Sequence, residues 1–314
     1  MVVPGDKSTQ ILSLFLSLTL LAAVLLFAGC ERTSDSQKES LEGPPRSEEG
    51  IQTRSRAIPA GAGRIVSMAP STTELLFALG VGDRVVAVTR YCDWPVEVKD
   101  LPTIGGMLDP DLEVILGLQP DLVVGVQAGS DHRIGRVLEN ADIAYGFVEA
   151  NNLEEIYASI LTFGDWLELE DSSRELIAKL KQELEEESRA LREKITSGTR
   201  VLMVYDQEPV VAAGPGTFGD ELLTLAGLSN VVTGDSNAYP VLDMERIIGL
   251  NPEIVIDTSI GPKEEEVLRF WGRFSAIDAV QNQRVIHLSD PLMMRPGPRL
   301  PEALRLLGEA IEGL

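Results

Sequence analysis

The sequence predicts an α/β protein of two lobes, each built on a central, mostly parallel sheet, the two joined by one long α-helix. Three observations carry that expectation. Short apolar runs of strand character alternate with helical stretches in both flanking parts of the fold, the pattern of a parallel sheet covered on both faces. Between them, from Leu153 to about Thr196, the chain holds little but helix formers. The third observation is a repeat: Leu112-Glu113-Val114-Ile115-Leu116-Gly117-Leu118-Gln119-Pro120-Asp121-Leu122-Val123-Val124 returns 132 positions later as Met244-Glu245-Arg246-Ile247-Ile248-Gly249-Leu250-Asn251-Pro252-Glu253-Ile254-Val255-Ile256. Each copy reads as a short helix opening on an acid, a Gly-Leu-Gln/Asn-Pro stop and a buried strand. A second echo agrees, since Glu74-Leu75-Leu76 precedes Gly80 with the spacing by which Glu221-Leu222-Leu223 precedes Gly227. Self-similarity on this scale indicates two related lobes rather than a stack of short repeats. A cleft between lobes is where small ligands usually bind.

The 314 residues, 44% of them hydrophobic, suffice for two domains with a core each. Residues 1–30 read as a signal segment outside the fold. Ile11 to Phe27 is apolar apart from Ser13, Ser17 and Thr19, and Phe27-Ala28-Gly29-Cys30 places small residues before a cysteine, as in a bacterial lipoprotein signal. Cys30 would then carry the lipid. An uncleaved anchor helix is the other reading, and both tether the fold to a membrane outside the cytoplasm. Residues 31–62, mostly Ser, Glu, Gly, Pro and Arg, predict a flexible linker.

The first lobe is expected over 63–164. Arg64 to Met68 reads as its first strand, and Ser71-Thr72-Thr73-Glu74 as a capping box opening a helix from Leu75 to Leu79. Further strands are predicted at Val85–Val88, Leu122–Gly125 and Ile143–Val148, with helices near Leu112–Leu118 and Arg133–Asn140. The interlobe helix is expected within 165–198: Ser172-Ser173-Arg174-Glu175 offers a second capping box, and Leu176, Ile177, Leu180, Leu184 and Leu191 mark one stripe at helical spacing. About 24 residues of helix make a strut roughly 36 Å long. In the second lobe, 199–314, strands are predicted at Val201–Tyr205, Ile254–Asp257 and Val285–Leu288. Helices are predicted at Phe218–Ala226, Glu264–Phe270 and Arg299–Ile311.

A net charge of −22 argues against nucleic acid and anionic membrane surfaces as partners, because phosphate binding needs clustered Lys and Arg. With Cys30 lipidated, Cys92 has no partner for a disulfide and reads as a partly buried free thiol.

Several phrases together resemble a known family. Arg64-Ile65-Val66-Ser67-Met68-Ala69-Pro70-Ser71-x-Thr73-Glu74, then Tyr91-Cys92-Asp93-Trp94-Pro95, both acid-led repeats, and Arg295-Pro296-Gly297-Pro298-Arg299 are similar, in order, to the periplasmic binding proteins for iron siderophores, haem and cobalamin. The similarity runs over about residues 63–312. It implies two lobes bridged by a long helix, a shallow cleft, and a monomer that delivers a metal chelate (corrinoid, siderophore or haem) to an ABC importer. It also implies that Glu113 and Glu245 dock on arginine pockets of the permease. A carboxylate at a helix start is favoured by the macrodipole and pairs well with Arg. Ligand-binding candidates by position are Tyr91 and Trp94 from the first lobe, and Tyr239, Asp290 and Arg295 from the second. The aromatics could stack on a flat chelate, and Arg295 could meet a carboxylate. Ile104 and Val126 stand where cobalamin-binding members carry tryptophans, which weakens a corrinoid assignment.

Other chemistries compete. Gly214-Pro215-Gly216-Thr217-Phe218-Gly219, with Asp235 further on, matches a dinucleotide fingerprint, or else a tight glycine turn leading into a helix. His132 and His287 are the only histidines and have no partners at ligand spacing, so any metal is expected to arrive inside a chelate rather than at a protein metal site or as a resident cofactor. A membrane-anchored hydrolase is the alternative of a different class. It would need those same histidines, and the chain shows no G-x-S-x-G elbow, so no catalytic residues and no enzymatic activity are expected.

Overall fold

Each lobe winds strand and helix alternately in the same order. The computed structural model describes residues 53–54, 58–59, 61–127 and 131–314, within the compact unit 47–314. The signal segment and Cys30 lie outside the described residues. The first lobe runs β1 (Thr53–Arg54), β2 (Ile65–Ser67), α1 (Pro70–Ala78), β3 (Val85–Ala87), α2 (Leu112–Gly117), β4 (Leu122–Val126), α3 (Asp131–Asn140), β5 (Ala144–Val148) and α4 (Leu153–Leu167). Helix α5 (Glu170–Arg192) leads to β6 (Arg200–Gln207), β7 (Val210–Ala212), α6 (Phe218–Leu225), β8 (Ser229–Asn230) and β9 (Val241–Leu242). The chain finishes with α7 (Met244–Leu250), β10 (Ile254–Asp257), α8 (Glu264–Trp271), α9 (Asp278–Gln281), β11 (Val285–His287) and α10 (Leu300–Glu312).

The sheets show what was duplicated. The first has the order β1-β5-β4-β2-β3, and the second β11-β10-β6-β7-β9 with β8 also on β6. Without β1, β7 and β9, the two become β5-β4-β2-β3 and β11-β10-β6-β8, parallel throughout. The second lobe differs by the antiparallel strand β7, inserted between β6 and α6 and paired in turn with β9. Within the stretch read as linker, Thr53 and Arg54 pair antiparallel with β5.

The repeated phrase folds twice into one turn. Asp111 caps α2 by accepting from the Val114 N–H (3.1 Å), and Asp243 caps α7 by accepting from the Arg246 N–H (2.8 Å). The repeat therefore extends one residue beyond its sequence match. Past each helix the chain turns through a left-handed residue, Gln119 (φ 48°) and Asn251 (φ 43°), ahead of the proline. The next acid then grips the start of the lobe's first parallel strand. Asp121 accepts from the Arg64 N–H (2.9 Å) and Glu253 from the Arg200 N–H (2.9 Å). Both arginine side chains reach back to the helix C-terminus, Arg64 to the Leu118 carbonyl (2.7 Å) and Arg200 to that of Leu250 (3.1 Å). Gly80 (φ 82°) and Gly227 (φ 79°) stop α1 and α6 in the same left-handed way.

Two boundaries differ from expectation. Helix α1 starts at Pro70, whose missing N–H costs nothing at a first helical position. Ser71 is thus buried inside the helix instead of capping it, and Glu74 is carried to an inward face. Helix α5 likewise starts at Glu170 with no side-chain cap, and the Ser173 hydroxyl turns back to the Glu170 carbonyl. The side-chain cap in this stretch lies one helix earlier, at α4, where Asn152 accepts from the Glu155 N–H at 2.9 Å.

Helix α5 packs against α4 on the first-lobe side and α10 on the second. Its stripe is apolar as predicted: Leu180, Leu184 and Leu191 are buried, with Leu176 and Ile177 partly so. Gly308 lets α10 come close, because a Cβ there would lie 2.0 Å from the Leu191 Cδ2. One hydrophobic cluster runs through this junction from Ile65, Leu76 and Val124 to Val201, Leu222 and Leu304. Separate clusters back each sheet, around Phe147 and Ile134 in the first lobe and around Trp271 and Ile247 in the second. Among the described residues, no helix is long and apolar enough to cross a membrane.

Candidate functional site

Two joints hold the lobes face to face. At the first, the loop after β11 sends Arg295 across to the first lobe. Its guanidinium donates to Glu74 Oε1 (3.2 Å), to the Asp93 carboxylate and to the Tyr91 carbonyl (3.0 Å). Arg299 follows, 3.8 Å from Glu74 and 4.3 Å over the Trp94 ring. At the second, the loop after β5 meets α6. The Asn151 carbonyl accepts from the Phe218 N–H (2.6 Å), and Glu221 Oε2 from the Leu153 N–H (2.6 Å). Glu74 and Glu221 are the acids of the second sequence echo. From the same helical position in each lobe, each reaches the last loop of the other.

Their environments shift their proton affinities. Glu74 is only 3% exposed, and its Oε2 has no hydrogen-bond partner among the described residues. Burial outweighs Arg295 and Arg299, so its pKa is raised from the ordinary glutamate value. Asp93, more open to water, is pulled down by the Arg295 hydrogen bond. Burial also raises Glu221, against the Leu153 N–H that favours its charged form.

The predicted site residues divide between these places. Tyr91, Trp94 and Arg295 meet at the first joint. Trp94 is half-exposed beside a cavity of about 340 Å³ lined also by Glu74, Phe77, Leu176, Lys179 and Arg299. Arg295 is only 11% exposed in its side chain and committed to first-lobe acceptors. It is a lobe-bridging group in this structure rather than a free cation awaiting a carboxylate. Tyr239 belongs to another group, edge-on to Tyr205 (centroids 5.7 Å apart), which in turn faces Phe218. Burial and the nearby Glu155 charge raise the Tyr239 pKa. Asp290 caps the turn Pro291–Met294 by accepting from the Leu292 N–H at 2.9 Å. Glu113 and Glu245 are exposed in the first turns of α2 and α7, and neither forms an ion pair among the described residues. Ile104 is fully buried in the first-lobe back cluster, while Val126 sits partly buried between the lobes.

Glu74, Asp93, Glu221 and Arg299 escaped the sequence reading as site residues. The echo around Glu74 and Glu221 held the signal but pointed only to duplication. Cys92 is half-buried between the hydroxyls of Thr73 and Thr89, each 3.2 Å away.

The residues that suggested other chemistries have partners of their own. At the glycine turn, the Gly216 N–H already bonds Asp220 (2.9 Å), and the Phe218 N–H at the helix start is held by Asn151. Asp235 pairs with Arg246 at 2.9 Å. Ser259, His287 and Asp257 lie together, yet the Ser259 hydroxyl donates to Asp257 while His287 Nε2 faces the Ser259 carbonyl at 3.2 Å. His287 thus meets the Ser259 backbone, and among the described residues the serine hydroxyl–histidine contact of a triad is not formed.

Two repeat-related α/β lobes, fused by a helix and meeting face to face, define a two-lobed solute-binding protein. Comparison with known proteins agrees. The family profile of the periplasmic binding proteins matches residues 65–292. The chain is 31% identical over 301 residues to the uncharacterized ABC transporter substrate-binding lipoprotein YvrC of Bacillus subtilis, covering 93% of this chain and 94% of that one. It is 28% identical over 253 residues to a vitamin B12-binding protein of Vibrio campbellii, covering 80% and 90% respectively. The solved structure of the periplasmic heme-binding protein RhuT from Roseiflexus sp. RS-1 superposes with a TM-score of 0.70 at 27% identity, over 81% of this chain and 99% of that one. The chain belongs to the periplasmic binding protein family.

Proposed function

We propose that the protein captures a metal-chelate nutrient (cobalamin, haem or a ferric siderophore) between its lobes and hands it to an ABC importer. In this reading it acts as a monomer tethered by lipid on Cys30, with 31–62 as tether, 63–164 and 199–314 as lobes, and 165–198 as strut. Tyr91, Trp94 and Tyr239 supply stacking surface, while Arg295 and Asp290 shape the loop beside them. Glu113 and Glu245 are the contacts offered to the permease.

One observation supports this most. The same capped helix start occurs once per lobe, and each presents an exposed glutamate with no ion pair among the described residues. Acids in equivalent places on two lobes suit a permease with two-fold symmetry. The names of the relatives supply the solute class. The continuous core through α5 further suits capture with little lobe closure, since hinge bending would have to tear it.

The test is quenching of tryptophan fluorescence in the purified full-length protein by cobalamin, haemin and ferric siderophores. Saturable binding of one of them is expected. If none binds, the proposed solute class is wrong.

A further inference from the structure

The charges between the lobes bear on which chelate can bind, and this step rests on the reading that the solute lies there. At the first joint the cations are already engaged. Arg295 is shared by Glu74, Asp93 and the Tyr91 carbonyl, and Arg299 by Trp94, Glu74 and Glu302. Lys179 in the adjacent cavity faces Glu183 at 3.8 Å. An anionic ligand approaching Arg295 would have to displace carboxylates that already hold it.

The second joint carries an excess of negative charge. The charges of Glu154, Glu155 and Asp220 all act on Glu221 at the contact between α4 and α6. Their hydrogen-bond partners are neutral: Asn151 and Asn152 for Glu155, Gly216 and Asn230 for Asp220, and the Leu153 N–H for Glu221. The cation found close by is Lys181, 4.8 Å over the Tyr157 ring, which itself feels the Glu221 charge. Among the described residues, none of the four carboxylates forms a salt bridge.

Beside them lies a group that lacks a partner. The Tyr205 hydroxyl is buried, has no hydrogen-bond partner among the described residues, and points at the first turn of α6, where a Cβ on Gly219 would lie 2.2 Å from it. It stands edge-on to Tyr239, the partly buried outer member of the pair.

We infer that the cleft selects an uncharged or positively charged chelate and disfavours chelates whose periphery carries carboxylates or catecholates. Like charges at a partly desolvated surface repel, and the repulsion weakens with salt.

The experiment titrates the full-length protein in neutral detergent with four probes: uncharged cyanocobalamin, cationic ferrioxamine B, haemin with its two propionates, and trianionic ferric enterobactin. An uncharged or cationic probe should bind at least tenfold more tightly than both anionic ones. Raising salt from 20 to 500 mM should narrow the gap. Glu154→Lys, a change at an exposed position, should improve anionic binding severalfold while leaving cyanocobalamin within twofold. Tightest binding by haemin or ferric enterobactin, weakening as salt rises, would overturn the inference and leave the chelate-capture reading standing. Failure of all four to bind would remove both.

Discussion

The two lobes agree where they would face a partner and differ where they face each other. Asp111 and Asp243, Gln119 and Asn251, and the arginine–acid clasps Arg64–Asp121 and Arg200–Glu253 do the same work at the same places. Across the gap the match fails. The last loop of the second lobe contributes two arginines, whereas that of the first contributes a backbone carbonyl and N–H. Duplication left a repeated capped turn and two unlike joints. The turn suits a symmetric partner; the joints suit an asymmetric solute.

The largest effect expected from breaking this comparison is on transport. Glu113→Ala with Glu245→Ala should abolish chelate uptake in cells carrying the cognate permease, with chelate affinity unchanged. A single substitution that reproduces the whole loss would show that the turns are not equivalent. Next comes the layer behind the second sheet. Trp271 is fully buried and its indole N–H serves Asp257 at 2.7 Å. Trp271→Ala should cost about 3–5 kcal/mol in urea unfolding, and a loss below about 1 kcal/mol would show that this layer is loosely packed.

At the unlike joints, Tyr239→Ala should weaken chelate binding by about 1–3 kcal/mol if the ring stacks, by analogy with base stacking. An unchanged Kd would place the ring outside the site. A smaller effect separates the repeated turns. Gln119→Gly relieves a left-handed residue with a long side chain and should stabilise by up to about 1 kcal/mol. Asn251→Gly should gain little, because asparagine tolerates that conformation. Equal gains in thermal melts would contradict this.

The subtlest effect concerns Glu74. Its pKa is raised on folding, so the ionised group opposes folding above that pKa. The penalty fades as pH falls through the folded value to the ordinary glutamate value. Glu74→Gln should therefore raise Tm at neutral pH, with the gain shrinking on acidification. A gain that grows toward acid would reverse the sign of the burial argument.

Much of this fold was legible because its signals are local. The apolar strands, the α5 stripe and the acid-Gly-Pro phrase needed no partner to be seen. The start of α1 was not, since Ser71-x-x-Glu74 satisfies the capping pattern while Pro70 and the pull of Arg295 place both residues inside. Strand β7 is three residues long and follows a proline, too short for a periodicity to show. The joints were hidden for a plainer reason. Glu74 and Arg295 stand 221 positions apart, and only the folded chain brings them together. Arg295 itself was found from its motif, but its commitment to carboxylates could not be read from one sequence.

The cluster that threads α5 has a consequence for how the molecule fails. With Leu191 keyed over Gly308 and apolar side chains continuous from Ile65 to Leu304, neither half owns a complete interior. Heating should give a single calorimetric peak, and the halves expressed separately should not hold their shape.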